Sequence, residues 1–267
     1  METTTSSAKA KGRELQQLVR GKHIAVWFSC GAASAVAAYE TLRIYGKTNK
    51  VSIVNNPIKE EHGDNQRFLK DVQNWLRHPV EFATSSSYPS QSCEDVWAKR
   101  KYMSGPLGAP CTMILKKKAR QEWEEENKPD FTVLGFTSEE TKRAERFKLT
   151  ERDTLLTPLI QLEYTKQDCF DILLREGVRL PEVYLLGYPN ANCLGCVKAS
   201  SPTYWNHVRG VHPEVFKKRA EMSRELGTKL VILKGERIFL DELPEDAKGR
   251  DLKEYNFECG IFCEEKE

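Results

Sequence analysis

The chain has 267 residues, of which 30% are charged, and its net charge is only +2. Such a small charge gives no overall basic field for nucleic acid, and no apolar run approaches the about 18 residues that a membrane-spanning helix requires. The first residues lack the apolar core of a secretory signal. We therefore expect a cytoplasmic protein with no membrane partner, whose eight cysteines do not form structural disulfides.

Short apolar runs and helix-like spacing alternate along the chain. The runs predict strands at 23–28, 51–54, 80–83 and 131–135, and the spacing predicts helices at 14–20, 34–45, 65–77, 111–126, 165–176 and 212–226. A loop-rich section is expected from 85 to 110 and a small hairpin from 229 to 240. This alternation predicts an α/β fold with a mostly parallel twisted sheet and helices on both faces.

Three functional regions follow from this pattern. We expect an N-terminal arm with a short helix at 1–20, a nucleotide-binding core at 21–160 and a cysteine-bearing C-terminal extension at 161–267.

A turn of small residues follows the first predicted strand. It consists of Ser29, Cys30, Gly31, Ala32, Ala33 and Ser34. Backbone N–H groups at the start of a helix bind anions, and small side chains let a phosphate come close. The turn therefore predicts a nucleotide phosphate site, although a plain strand-to-helix turn with Ser34 as the N-cap fits the same residues.

Five cysteines fall at three separated places, which are Cys111, the pair Cys193 and Cys196, and the tail cysteines Cys259 and Cys263. Thiols gathered from distant points of a chain in a reducing compartment indicate a metal, an iron–sulfur cluster or redox chemistry. The Cys-x-x-Cys pair suits half of a metal or cluster site, and also a dithiol redox pair.

A tetrahedral zinc site on the pair and the two tail cysteines fits the spacing as well, and Cys111 would then be an isolated thiol. Cys93 and Cys169 are interpreted as packing residues.

Five segments, in chain order, carry a resemblance to a known family. They are the turn at 29–34, Cys111-Thr112 with Leu115-Lys116, Leu134-Gly135 with Glu139–Arg146, the stretch from Thr157-Pro158-Leu159 to Gly187, and Glu258-Cys259-Gly260-Ile261. Together they resemble the phosphoadenosine phosphosulfate (PAPS) reductase family of the PP-loop, or adenine nucleotide α-hydrolase-like, superfamily. The resemblance runs from about Ile24 to Cys263.

The resemblance implies roles for particular residues. The turn would hold the phosphates of an adenine nucleotide, in a site that Lys116, Gly135, Arg143 and Arg146 also line. Cys259 would be the nucleophile, with Cys263 or a thioredoxin-like partner as the resolving thiol.

A [4Fe–4S] cluster is also implied, with Cys111, Cys193 and Cys196 as ligands. Pro110 stands where the family has another cysteine, so that Cys263 is a candidate for the fourth ligand.

The chain departs from the family pattern at several positions. Ala33 stands where many ATP-pyrophosphatase relatives carry aspartate, which favours the reductase branch. No arginine closely follows Gly135, and arginine is the side chain that binds sulfate as a bidentate fork. Arg143 and Arg146 are the candidates to compensate, while Phe262 replaces the histidine of the family tail.

The function that the resemblance implies is thiol-dependent reduction of adenylylsulfate or PAPS to sulfite. One alternative is an ATP-activating sulfurtransferase that inserts sulfur into a nucleic acid, as in tRNA thiolation or DNA phosphorothioation. A cluster with three cysteine ligands and an open iron suits that alternative. Another alternative is a zinc-stapled protein that binds a nucleotide without catalysis.

Overall fold

The computed structural model describes residues 19–105 and 108–252. The helix predicted at 14–20 lies almost wholly outside the described residues, as do the tail cysteines Cys259 and Cys263. Within the described part, the chain forms two compact units. The first takes in the residues up to Asn55, then 65–83 and 123–181, and the second takes in 56–64, 84–122 and the residues from Glu182 onward.

The first unit is built on a five-stranded parallel sheet in the order β3-β2-β1-β4-β5. Its strands are β1 (His23–Trp27), β2 (Lys50–Asn55), β3 (Val80–Phe82), β4 (Phe131–Val133) and β5 (Leu155–Leu156). Every residue of the central strand β1 is buried. A continuous apolar run is what a strand covered on both faces requires, and here it forms the middle of the sheet.

Helices cover both faces of this sheet. The helices that contribute to the first unit are α1 (Ala32–Tyr45), α2 (Asp64–Leu76), α4 (Ala119–Asn127), α5 (Thr141–Thr150), α6 (Pro158–Gln161) and α7 (Lys166–Arg175). Trp123 of α4 packs edge-on against Trp27, and Phe68 of α2 packs against Phe28. Because successive residues of a strand point to opposite faces, these two contacts lie on opposite sides of the sheet. The predicted α/β fold class is thus confirmed.

The second unit is mainly helical. It contains α3 (Cys93–Arg100), a π-helix (Thr112–Lys118), α8 (Glu182–Leu185), α9 (Pro202–Val211), α10 (Pro213–Glu225) and a hairpin of β6 (Val231–Leu233) and β7 (Glu236–Ile238). Its apolar core includes Cys93, Cys111, Cys193 and Cys196, together with Trp97 and Trp205. Four of the eight cysteines are therefore core residues of one unit.

The sequence prediction did not include α5, α6, α8, α9 or β5. Two further differences lie near the cysteines. Helix α3 lies in the section predicted to be loop-rich, and Ser92 caps it by accepting a hydrogen bond from the N–H of Asp95. The Ser-Cys-Glu-Asp sequence is an N-terminal helix signal that the preceding Ser- and Pro-rich stretch obscured. The helix predicted from 111 to 126 forms, but its first part is a π-helix, a rare geometry that is frequent at functional sites.

No helix within 19–105 and 108–252 is long and apolar enough to cross a membrane.

Candidate functional site

The turn between β1 and α1 in the first unit has the geometry of an anion site. Cys30 lies in the left-handed region at a φ of 56°, and α1 begins at Ala32 after the N-cap residue Gly31, which has no side chain to cap the helix. Strained residues of this kind cluster at ligand sites. The start of a 14-residue helix carries a partial positive charge that favours a phosphate.

The two serines of the turn are hydrogen-bonded to each other. The Ser34 hydroxyl accepts from the N–H of Ser29 at 3.2 Å and donates to the carbonyl of Gly31 at 2.9 Å. Ser34 therefore closes the turn from inside, while Ser29 is exposed. This arrangement assigns Ser34 a structural part and leaves the Ser29 side chain on the open side.

Two neighbouring strands support the turn. Asn55, at the end of β2 and 3% exposed, donates from Nδ2 to the carbonyl of Phe28 at 2.7 Å and to Cys30 Sγ at 3.6 Å. Gly135 follows β4, and a Cβ atom there would lie 2.7 Å from the backbone nitrogen of Ser34. Gly135, which the resemblance assigns to the nucleotide site, thus lies next to the turn, and its role in nucleotide binding stays a prediction. Asn55 was not among the predicted site residues.

Two of the three cations predicted to bind the nucleotide have partners inside their own units. Arg143 of α5 forms an ion pair with Glu140 at 2.8 Å and lies over the ring of Phe136. Arg146, on the same helix, is exposed. Lys116 belongs to the second unit, where its buried ammonium lies 3.7 Å from a Glu61 carboxylate oxygen. The role of these three residues in nucleotide binding stays a prediction.

Buried thiols meet in the second unit. The Cys93 thiol is hydrogen-bonded to the thiols of both Cys111 and Cys193, and these bonds, together with burial, raise its pKa well above the ordinary value. All three residues are at most 7% exposed. The structure thus brings together two of the predicted ligands through Cys93, a residue that the sequence analysis treated as packing.

Cys196 lies in the same apolar core, on the Cys-x-x-Cys loop. Its N–H donates to the hydroxyl of Tyr204 at 2.9 Å. Burial, and next the proximity of Cys196, raise the pKa of Tyr204 well above its usual value. Between the two cysteines Gly195 has a φ of 62°, and a Cβ atom there would lie 2.9 Å from the side chain of Val215. The loop therefore needs glycine at this position to pack its two sulfurs inward.

Arg219 of α10 holds this loop in place. It is 2% exposed, donates from Nε to the carbonyl of Gly195 at 3.2 Å and from Nη1 to Glu94 at 2.7 Å, and lies over the ring of Trp97. Glu94 directly follows Cys93. One buried guanidinium thus joins the segments that carry Cys93, Cys193 and Cys196.

A short acidic segment joins the same elements a second time. The Glu60 carboxylate accepts from the Ser92 hydroxyl at 2.6 Å and from the N–H of Cys93 at 2.8 Å, while its carbonyl accepts from the N–H of Leu194 at 2.9 Å. Its neighbour Glu61 is the partner of Lys116, which lies one π-helical turn beyond Cys111. Glu60 and Glu61 therefore contact all three thiol-bearing segments.

The donor set fits a thiolate-bound centre by its chemistry. Cysteine thiolates hold iron–sulfur clusters and structural zinc. In the described part of the chain, no group of three or more His, Cys, Asp or Glu side chains is positioned to hold a metal ion as it stands. Binding would therefore require the thiols to lose their protons and to exchange their mutual hydrogen bonds for bonds to metal.

Glu60, Cys93 and Arg219 are the residues of this region that sequence reasoning missed. The only available signal was the N-cap sequence at Ser92, which would have placed Cys93 in the first turn of a helix. Nothing in the spacing of Glu60 or Arg219 indicates that they meet the cysteine segments.

Comparison with known proteins gives structural likenesses only. No family model and no curated protein matches the sequence. The chain is similar to the U34-tRNA thiolase NcsA from Methanococcus maripaludis with its [4Fe-4S] cluster, at 12% identity and a TM-score of 0.48, over 84% of this chain and 74% of that one.

Two further solved structures are also similar. The PAPS reductase from Candida auris, in a phosphate complex, shares 11% identity at a TM-score of 0.45, over 64% of this chain and 80% of that one. The NMN synthetase from Francisella tularensis shares 11% identity at a TM-score of 0.42, over 88% and 98%. Identities of 11–12% and TM-scores below 0.5 assign no activity to this chain.

Proposed function

We propose that the chain is a PP-loop enzyme that reduces a sulfonucleotide, adenylylsulfate or PAPS, to sulfite with thiols as the electron donors. The observation that carries this proposal is the gathering of Cys93, Cys111 and Cys193 in the core of a chain whose central strand ends in an anion-binding turn. Buried thiols that converge from separated segments favour sulfur or metal chemistry over simple packing.

The turn at 29–34 supplies the nucleotide-binding part of the proposal. The N–H groups at the start of α1 would bind the phosphates. The Ser29 hydroxyl, which donates to Ser34 Oγ at 3.3 Å, would exchange that hydrogen bond for one to a phosphate oxygen. The support that Asn55 and Gly135 give to the turn keeps these groups in one position. A preformed anion site loses little conformational entropy when the nucleotide binds.

The tail cysteines supply the chemical step. The Cys259 thiolate attacks the sulfur atom of the sulfate group, the bond from that sulfur to the phosphate oxygen breaks, and the nucleotide leaves with the electron pair. A second thiol, from Cys263 or from a thioredoxin-like partner, then attacks Cys259 Sγ and releases sulfite. Two thiols are oxidised to a disulfide while sulfur gains two electrons, and an external dithiol restores the enzyme.

A [4Fe–4S] centre on the buried thiols, when bound, supplies electrostatic stabilisation rather than electrons. Arg143 and Arg146 would neutralise the sulfate and phosphate oxygens. For Arg143 this requires a sulfate oxygen to compete with the Glu140 carboxylate.

The ion pair between Arg143 and Glu140 favours a second candidate function. With Glu140 already bound to Arg143, a substrate without a sulfate group suits the site as well. The chain would then transfer AMP from ATP to an oxygen of a nucleic acid, with loss of pyrophosphate, and a sulfide held by the metal centre would displace AMP.

The two functions are separated by their products. The full chain, prepared anaerobically, is given adenylylsulfate, PAPS or ATP together with thioredoxin and its reducing system, and sulfite and pyrophosphate are both measured. We expect sulfite from one of the sulfonucleotides and no pyrophosphate from ATP. Pyrophosphate from ATP without any sulfite would replace the first proposal with the second.

Two serine variants serve as matched controls for the nucleophile. Cys259→Ser should abolish sulfite release while the nucleotide still binds. Cys169→Ser removes a fully buried thiol of the first unit and should leave the rate of sulfite release unchanged. Sulfite release that survives Cys259→Ser would contradict the assigned nucleophile.

A further inference from the structure

We propose that Cys93 is the fourth thiolate of a metal–sulfur centre held by Cys93, Cys111, Cys193 and Cys196, so that the centre is complete without the C-terminal tail. The inference shares with the proposed function the premise that the thiols hold a metal centre. It names a different fourth ligand, because the resemblance leaves that position to Cys263 or to an open iron.

The first support is the position of Cys93 between two of the other thiols. It lies in one buried cluster with Cys111, Cys193 and Cys196, where its thiol is hydrogen-bonded to those of Cys111 and Cys193, and it is only 4% exposed. Three sulfurs that converge from residues separated by 18 and 82 positions do not result from local sequence. Cys193 brings Cys196 with it, because a Cys-x-x-Cys turn presents both sulfurs to one side.

The second support is that hydrogen bonds with charged side chains fix the backbone around Cys93. Its N–H donates to the half-buried carboxylate of Glu60, and the next residue, Glu94, is bound by Arg219. Glu60 and Arg219 each contact the Cys-x-x-Cys loop as well, through Leu194 and Gly195. A cysteine that only filled space would not need two charged residues to fix its helix to the partner loop.

This ligand set changes what the tail is free to do. Four thiolates from the second unit fill the four cysteine positions of a [4Fe–4S] cluster. Cys259 and Cys263 are then both available as nucleophile and resolving thiol. The argument for sulfur insertion at an open iron also loses its basis, because no iron lacks a cysteine ligand.

Metal analysis of cysteine variants tests the assignment. The full chain is prepared anaerobically and reconstituted with iron and sulfide, and then iron, acid-labile sulfide, zinc and visible absorbance are measured. The wild type should hold about four irons and four sulfides per chain. In Cys93→Ala we expect this content to fall by at least about half, with rapid bleaching in air, because an iron has lost its thiolate.

Two variants are the controls. Cys263→Ser removes the competing candidate ligand, and Cys169→Ser removes a buried thiol of the other unit. Both should retain the iron, sulfide and absorbance of the wild type. Full loading of Cys93→Ala, or loss of loading in Cys263→Ser alone, would overturn the proposal.

A measurement on the wild type covers the case in which Cys93→Ala does not fold. Alkylation of each cysteine in mild denaturant is followed by peptide mass spectrometry, for the loaded chain and for a chain stripped by a chelator. Loading should slow the alkylation of all four core cysteines by about tenfold or more, and should leave Cys259 and Cys263 at the stripped rate. Protection of three core cysteines without Cys93 would refute the assignment.

The identity of the metal and the enzymatic activity are tested independently of which residues are the ligands. Zinc bound in place of iron and sulfide, and lost in Cys93→Ala, would support the four ligands and overturn the iron–sulfur cluster. A loaded chain that acts on neither sulfonucleotides nor ATP would overturn the proposed function and leave the four ligands in place.

Discussion

Gly135 and Ser34 are in contact through their backbones, since a Cβ atom built on Gly135 would lie 2.7 Å from the nitrogen of Ser34 and 2.9 Å from the carbonyl carbon of Ala33. The loop after β4 therefore packs directly on the first turn of α1. No L side chain fits at 135 unless one of the two backbones moves.

Gly135→Ala should accordingly impair nucleotide binding. Overpacking of this kind costs about 1–3 kcal/mol, and because it displaces the start of α1 we expect the nucleotide Kd to rise by about tenfold or more. Calorimetric titration with the preferred nucleotide measures the change. Gly210→Ala is the matched control, because a Cβ at that helical position meets nothing within 4 Å and should leave the Kd unaltered.

Asn55→Ala should loosen the same turn from the other side. It leaves the buried carbonyl of Phe28 without the donor at 2.7 Å, and an unsatisfied buried acceptor costs about 1–3 kcal/mol of unfolding free energy. Urea denaturation and nucleotide titration should both show the loss. Asn127→Ala is the matched control, because it removes a side-chain hydrogen bond to the carbonyl of Trp123, away from the turn. It should lower the free energy of unfolding and leave the nucleotide Kd unchanged. Equal effects of both variants on the nucleotide Kd would contradict this view of Asn55.

Arg219→Ala should destabilise the second unit strongly. The substitution leaves the carbonyl of Gly195 without its donor and removes one of the two cations that pair with Glu94. Removal of one member of a buried ion pair costs about 3–5 kcal/mol of unfolding free energy. Lys218→Ala is the matched control, since Lys218 forms an ion pair with the same Glu94 but is 59% exposed, and we expect a loss below about 1 kcal/mol. Comparable losses in the two variants, measured by urea denaturation, would show that burial of Arg219 is not what matters.

His207 should make the stability of the second unit depend on pH. Burial lowers the pKa of His207 below 6.5, against the opposing hydrogen bond with the backbone of Leu186. The folded chain therefore binds this proton less strongly than the unfolded chain, so the contribution is present above pH 6.5 and is lost as the pH falls through the folded pKa.

Denaturation of the wild type and of His207→Gln at pH 7.5 and pH 5 measures this contribution. The decrease in stability between the two pH values should be smaller in the variant, whereas the loss at pH 7.5 reports packing alone. An unchanged pH dependence would exclude His207 as the source.

The alternation of strands and helices was readable from the sequence because each element carries its own signal. The apolar run at 23–28 and the small residues at 29–34 predict a buried strand and a turn into a helix, and both are where the structure has them. The Cys-x-x-Cys pair is equally local, since four residues suffice to turn the chain and point two sulfurs the same way. Gly135 was found through resemblance, and its contact with Ser34 gives it a physical reason.

The partners of these local features were decided by tertiary structure. The chain leaves the first unit at Asn56 and again at Thr84, so that residues 56–64 and 84–122 pack with the segment from Glu182 onward. This places Glu60 on Cys93 and Leu194, and places Cys93 against Cys111 and Cys193. A contact between residues far apart in sequence leaves no periodicity or spacing to detect, because it is selected by the burial of apolar surface and the pairing of buried charges. The sequence by itself therefore determined the elements, the turn and the supply of thiols, whereas only the packing of the folded chain decided which thiols meet.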